Sequence, residues 1–434
     1  MKLKNLLDEP TDQPVDQERS VSWKNIALIK IGVFISLPGF VTGVKVGNQI
    51  GLEASVYVFF IAGIVLGAFA SICGSVGART KLSTYYITQY AFGSRGAHLV
   101  NSIFAASLFG WFGINLVLFG KALVDVIGDS ALGPFTWEIL TIAGAILMIS
   151  TVIFGFRALD RLSQFAVPLL ILSLVVLVYA SITQFGLENA AGSADSSSMS
   201  AGKAISAVIG GSIVGTVIFP DICRYAISVK HGIIAAIITF SIAKPLITLS
   251  SAIPSLATGE REIMAILDAL NLGMIALVIV VFTTWTSNNG NLYGASLGLS
   301  TIFKGRRYWQ LALGSGVVGT LLALSGVMDD ILPFLHLLGI AIPPVAGIYI
   351  ADFYILNGGK YRPFSHSTMA GIRYPSIVAW SLACAAGYAS LNDLYVLTTV
   401  PALDSVIVAA SVLCVLDRIL IYVCGNRYAD AKKS

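Results

Sequence analysis

The chain reads as an all-α integral membrane protein. Twelve transmembrane helices are expected, as two inverted five-helix repeats with broken spans 1 and 6, plus two C-terminal helices. Three observations predict this. Of 434 residues, 56% are hydrophobic and 12% charged, with mean hydropathy +0.83, whereas soluble domains carry about 25% charge. Apolar runs long enough to cross about 30 Å of hydrocarbon recur along the whole chain. Helix-weakening residues interrupt two of those runs, five apart in order. Paired interruptions of this kind mark an inverted-repeat transporter with its site at the breaks. No strand-like alternation of about ten residues recurs, which excludes a transmembrane β-barrel.

Residues 1–23 are polar, contain Pro10 and Pro14, and lack a signal-peptide core; they predict a mobile cytoplasmic tail. Span 1 (about 24–50) reads KIGVFISLPGFVTGVKVG. Pro38 lacks an N–H and clashes with the preceding turn, which frees carbonyls around Phe34 and Ile35. Span 2 (54–78) follows. Span 3 (98–127) holds SLFGWFGIN, so Trp111 falls near mid-depth, away from the interfacial belts where membrane tryptophans collect. Either a flat ring stacks on that indole or it packs between helices. Spans 4 and 5 (136–155 and 162–182) complete the first repeat, 24–182.

Span 6 (203–226) reads AVIGGSIVGTVIFPDICR, with Gly210-Gly211, Gly215 and Pro220 as its interruptions. Near its inner end Asp221 can pair with Arg224, three residues on. Span 7 (231–253) carries Lys244 before Pro245, a central charge that is costly unless paired or in a polar cavity. Span 8 (272–300) contains VFTTWTSNNGNLYGAS, where Thr283, Thr284, Thr286, Ser287, Asn288, Asn289 and Asn291 crowd around Trp285. Lipid does not accept that density of hydroxyls and amides unless they face protein, water or a ligand. Thr283, Thr286 and Ser287 stand at i, i+3 and i+4 and share one helical face; Asn288 and Asn291 begin the next. Freed carbonyls of a broken helix and hydroxyls on a packed one suit a hard cation. Spans 9 and 10 (308–326 and 330–354) close the second repeat, 203–354. Spans 11 and 12 (374–391 and 396–423) follow in 374–423. The transporter domain thus covers 24–425, and 426–434 form a second cytoplasmic tail.

Lysine and arginine fix the orientation. With the N-terminus inside, most of the 27 basic residues fall in the cytoplasmic loops, among them Arg79, Lys81, Arg95, Arg157, Arg161, Lys304, Arg306 and Arg307. Both termini are therefore expected in the cytoplasm, with the protein in the inner membrane. Lys30 is close enough to the start of span 1 to snorkel to that interface, its rival reading being a lysine that faces the bundle near the ion site, and Lys45 is close enough to the outer interface to snorkel there. The net charge of +4 is a topology signal, and no basic run suggests a nucleic-acid partner. Five single cysteines suggest neither a disulfide framework nor a metal site.

Four stretches carry a resemblance: GARTKLSTYYITQYAFGSRGAHLVNSI (77–103), GWFG (110–113), WTSNNGNLYGASLG (285–298) and AIPPVAGIYIADFYI (341–355). In order and span position the chain resembles the nucleobase:cation symporter family, and within it the cytosine/purine permeases, over most of 24–425. The resemblance implies a LeuT-like 5+5 inverted repeat and import of a flat base with sodium or protons. It implies sodium between spans 1 and 8, on backbone oxygens of Gly32, Ile35 and Thr283 and hydroxyls of Thr286 and Ser287. The base would stack on Trp111 near Ser36, with Gly211 and Ser212 at the span 6 break and Asn288 completing the surround. The chain departs from cytosine permeases at Leu108 and Thr283, where they carry amides that read a base edge. They also carry an aromatic in the span 6 break, where this chain has Gly211-Ser212-Ile213. Another flat heterocycle, such as hydroxymethylpyrimidine, a hydantoin or allantoin, is therefore the rival substrate.

Other classes find little support. An intramembrane enzyme needs a nucleophile with its base, or a metal set, and no such motif occurs. Channels repeat filter loops or present charged rings, and neither is found. No cofactor beyond the coupling ion and no obligate protein partner is expected.

Overall fold

The computed structural model describes residues 9–11, 13–128, 131–192, 199–326, 332–361 and 371–424. The expected tail at 426–434 lies outside them. Among the described residues the architecture is all-helical, with one isolated bridge between Val21 and Ala226. Among those residues seven helices are long and apolar enough to cross a membrane, and Thr136–Val152 and Tyr308–Leu324 are shorter apolar ones. That is fewer than the twelve expected apolar runs. Part of the reason is that the first run is cut by its break and the eighth carries the polar stretch.

Helix α1 (Trp23–Phe34) stops where Ile35 leaves helical geometry and Ser36 turns extended. Helix α2 (Leu37–Thr80) then begins with Pro38 in its first turn, capped by the Ser36 hydroxyl accepting from the Gly39 amide at 3.2 Å. Proline without an N–H and serine at the N-cap are the residues that start a helix. A second bend divides α2 at Gly51, where φ of +77° is a left-handed value that favours glycine. Helices α3 (Thr84–Phe92), α4 (Ser94–Ile127), α5 (Thr136–Val152), α6 (Phe156–Phe185) and α7 (Leu187–Gly192) follow.

Helix α8 (Ala201–Val217) runs unbroken through Gly210, Gly211 and Gly215. The break expected at Gly210-Gly211 falls instead at Ile218–Phe219, before the short α9 (Pro220–Cys223). Glycine weakens a helix by about 1 kcal/mol, whereas Pro220 has no N–H to offer the Thr216 carbonyl one turn back, so the proline sets the break. Helix α10 (Val229–Thr258) widens into π geometry over Ile237–Ala243, just before Lys244 and Pro245. Pro245 supplies no amide to the turn before it, and an inserted residue relieves the clash. Close packing of α2 on α10 uses small residues: a Cβ on Gly47 would stand 2.7 Å from that of Ala252. Helices α11 (Ile263–Ala269), α12 (Gly273–Ile302), α13 (Tyr308–Leu324), α14 (Leu332–Ala341), α15 (Pro343–Ile350), α16 (Tyr374–Leu391) and α17 (Pro401–Cys424) complete the chain. Helix α12 packs between α1, α4, α5 and α6, which brings its polar stretch against the break of α1.

The N-terminal segment corrects one expectation. From Glu9 to Val21 its described residues are docked across one end of the bundle. Glu9 is buried, and its carboxylate accepts from Arg224 Nη2 at 2.8 Å, Tyr293 OH at 2.8 Å, the Phe156 amide at 3.2 Å and Tyr225 OH. Arg224 Nη1 also donates to the Pro10 carbonyl at 2.6 Å. Val15 N donates to Lys81 O, and Val21 pairs with Tyr225 and Ile227. Arg224 is thus partnered by Glu9, and the expected Asp221–Arg224 side-chain pair is not made. Asp221 Oδ1 instead accepts from the Thr84 amide at 2.7 Å.

Candidate functional site

A cavity of about 790 Å³ enters the bundle between α1, the start of α2, α4, α8 and α12. Its mouth reaches Lys45, Lys121 and Leu391, all exposed, at the end opposite the docked segment. Its floor includes Lys30, Asp221 and Tyr293. Since Tyr293 also donates to Glu9, the N-terminal segment seals the cavity from behind. The volume fits a small-molecule site.

The wall mixes residues of the α1–α2 break with polar and apolar side chains of the intact helices. The α1–α2 break contributes Phe34, Ser36, Pro38 and Gly39; α4 contributes Leu108, Trp111 and Asn115. Asn115 stands four residues after Trp111, so one helical turn brings both to the same face. Its Nδ2 donates to Ser287 Oγ at 3.3 Å, while its Oδ1 is buried without a partner. Across the cavity, Gly211 and Ser212 lie on the wall of intact α8, and the Ser212 hydroxyl is also buried and unpartnered. Unpaired buried polar atoms are rare and costly, and these two belong to residues that line the cavity.

The polar stretch of α12 sorts onto several faces. Ser287 and Asn291 line the cavity. Thr286 Oγ1 lies 2.9 Å from Gly32 O, 2.8 Å from Phe282 O and 3.2 Å from Thr283 O. Gly32 O is open to it because the chain turns extended at Ser36, which would have carried its i+4 amide donor. Phe282 O and Thr283 O also accept amides within the continuous α12, so Gly32 O is the one carbonyl of the three that the chain break leaves without a backbone donor. A freed carbonyl beside a hydroxyl and two further carbonyl oxygens is the chemistry a hard cation satisfies. Gly32, Thr283 and Thr286 come together here, with Ser287 adjoining at the cavity wall. Ile35 follows Gly32 by one turn; Ile35, Ser36 and Thr283 also border a small void of about 10 Å³, whose other walls are apolar.

Asn288 stands behind the wall, donating to Phe112 O at 3.2 Å and Met148 Sδ at 3.3 Å and accepting from Asn291 Nδ2 at 3.2 Å. Trp285 Nε1 donates to Thr151 Oγ1 at 3.0 Å, away from the cavity. Of the residues expected around the base, Ser36, Leu108, Trp111, Gly211 and Ser212 line the cavity, and Thr283 and Asn288 do not. Asn115, Asn291, Lys30 and Lys244 line it without having been assigned to the base. The helical spacing from Trp111 was the signal for Asn115. Lys30 corrects the snorkelling expectation: it is 4% exposed and turns inward, its ammonium 5.4 Å from the Phe34 ring centroid, facing Asp221. Lys244 is buried too, 5.2 Å from the same ring on the cavity wall.

Comparison with known proteins is consistent with this geometry. A family described as "Permease for cytosine/purines, uracil, thiamine, allantoin" matches residues 14–412. Cytosine permease of Escherichia coli (strain K12) is 28% identical over 361 residues, covering 82% of this chain and 84% of that protein. Hydantoin permease of Microbacterium maritypicum is 24% identical over 433 residues, with 89% and 85% covered. Among solved structures, the nucleobase-cation-symport-1 family transporter Mhp1, closed with bromovinylhydantoin bound, superimposes with a TM-score of 0.83 at 19% identity, covering 98% of this chain and 100% of that one. MhsT in complex with L-phenylalanine shares the fold at a TM-score of 0.62 and 16% identity, covering 90% and 97%.

Proposed function

This chain belongs to the family of permeases for cytosine/purines, uracil, thiamine and allantoin, a transporter family and not an enzyme family, and from that premise we propose its cargo and its coupling. It imports a flat nitrogen heterocycle, a nucleobase of the cytosine or purine type, across the cytoplasmic membrane together with a cation. Twelve spans, with both termini in the cytoplasm, form two inverted five-span repeats (24–182 and 203–354) and two further helices. On that orientation the cavity opens outward and the Glu9 segment closes the inner side, the geometry of one state of an alternating-access cycle.

The observation that carries the reading is the Thr286 hydroxyl shared by Gly32 O, Phe282 O and Thr283 O beside the α1 break. Sodium there, completed by Ile35 O and Ser287 Oγ, would bridge α1 to α12 and hold the break in the shape that receives the base. The base lies beside it on the Trp111 face, against Ser36, Ser212 and Asn115. Binding of the ion thereby favours binding of the base, which is what symport requires. Protons are the alternative coupling ion.

The test is uptake of labelled cytosine into cells lacking their own base permeases, in sodium and in choline buffer, with purines and hydantoins as competitors. Sodium-stimulated, saturable uptake supports both parts. Sodium-independent uptake removes the ion assignment. Uptake of a hydantoin in place of cytosine favours the second reading, which the hydantoin permease relative and the apolar Leu108 on the cavity wall recommend.

A further inference from the structure

Lys244 is 4% exposed and its ammonium lies on the cavity wall, yet among the described residues no carboxylate pairs with it. An ammonium taken out of water without a counter-charge is costly. Lys30, on the other side of Phe34, has Asp221 facing it. The inner half of the cavity therefore holds two ammoniums and one carboxylate. The other buried acids nearest to cationic groups are committed: Glu9 to Arg224 at 2.8 Å and Asp352 to Arg373 at 2.6 Å.

A second feature points to the same place. Lys244 stands over the first turn of α2: a Cβ on Gly39 would lie 3.8 Å from its Nζ. The N-terminus of a long helix carries partial positive charge and attracts anions. The helix start and the ammonium thus converge on one stretch of wall beside Ser36, inside a cavity lined also by Trp111, Asn115 and Ser212.

From these positions we infer that the cargo is an anionic flat heterocycle, seated with its negative charge between Lys244 and the first turn of α2. The charge is a carboxylate on the ring or an ionised ring N–H. This rests on the heterocycle reading of the cavity and narrows it. One negative charge balances the surplus ammonium, and the ring then lies toward Trp111. A neutral base would leave Lys244 without a counter-charge once the cavity closes over it.

The experiment uses the full chain in cells lacking base permeases, with labelled orotate (a ring carboxylate), urate (an ionised ring), cytosine and hydantoin, in wild type, Lys244→Gln and Lys244→Arg. Membrane levels are measured for each variant. The expected result is preference for orotate or urate over the neutral rings. Lys244→Gln should reduce the ratio of anionic to neutral affinity by about tenfold or more, as for loss of one charge-assisted contact, and Lys244→Arg should restore it. Orotate alone identifies the carboxylate, urate alone the ionised ring. Preference for cytosine or hydantoin with a ratio unmoved by Lys244→Gln overturns the anionic cargo and leaves the transporter reading standing. No uptake of either class, with the protein in the membrane, overturns both. Should Lys244→Gln fail to reach the membrane, competition between urate, orotate and cytosine in the wild type decides.

Discussion

Arg224 Nη2 lies 2.8 Å from Glu9 Oε1, and both side chains are almost wholly buried. The pair joins a residue ahead of the first helix to the end of the second broken helix, and Tyr293 ties both to the cavity floor. Removing one partner of such a pair strands the other charge and costs about 3–5 kcal/mol. Glu9→Gln and Arg224→Met should each lower the melting temperature of the purified protein. In the double mutant the two losses should fall well short of additive. Additive losses would mean that the two side chains act independently.

Glu9→Gln should also loosen the seal behind the cavity. A cysteine placed at Tyr293 in a cysteine-free background should label faster from the N-terminal side in the Glu9→Gln protein than in its Glu9 parent. Equal rates would assign the segment a purely structural role.

Thr286→Ala deletes the hydroxyl at the centre of three carbonyls. Loss of one polar ligand is worth about 1–3 kcal/mol. The sodium concentration for half-maximal uptake should therefore rise by about tenfold or more, and Thr286→Ser should retain most of the wild-type value. Pairing Thr286→Ala with Ser287→Ala should raise the requirement further. An unaltered sodium dependence in a functional double mutant would remove the ion from this cluster.

Trp111→Ala removes the largest flat face on the cavity wall. Stacking adds about 0.5–1.5 kcal/mol to the larger loss of buried area, so affinity for the base should fall by well over tenfold, while Trp111→Phe should keep part of it. Wild-type uptake in Trp111→Ala would show that the indole only packs.

Gly47→Ala places a methyl group 2.7 Å from the Ala252 Cβ, across a close contact of α2 with α10. Overpacking there should cost about 1–3 kcal/mol and lower the melting temperature. Gly314→Ala, which meets nothing within 4 Å, should be neutral or slightly stabilising, because alanine is the better helix former.

Composition, the membrane class, the break at Pro38 and the polar stretch of α12 were legible in the linear chain, whereas the meeting of that stretch with α1 came from the family resemblance. Each legible feature depends on a local property: apolar length, a missing N–H, or hydroxyls spaced to share a helical face. Trp111 was legible for the same reason, as an indole at a depth where lipid gives it no purpose. The second break was half legible. Pro220 was read with Gly210 and Gly211 as one interruption, but only the proline removes a hydrogen bond, and the helix passes through the glycines.

By itself, then, the sequence determined which segments are helical, where α1 must break, and that α12 carries something polar. Tertiary structure alone decided which way each polar group faces. Consecutive helical residues point about 100° apart, so a small rotation of α12 decides between Asn288 and Asn291 as the cavity residue. The same freedom turned Lys30 inward. The partnership of Glu9 with Arg224 spans 215 positions. No local pattern encodes it, because it exists only once α6, α9 and α12 enclose a space that a carboxylate can fill.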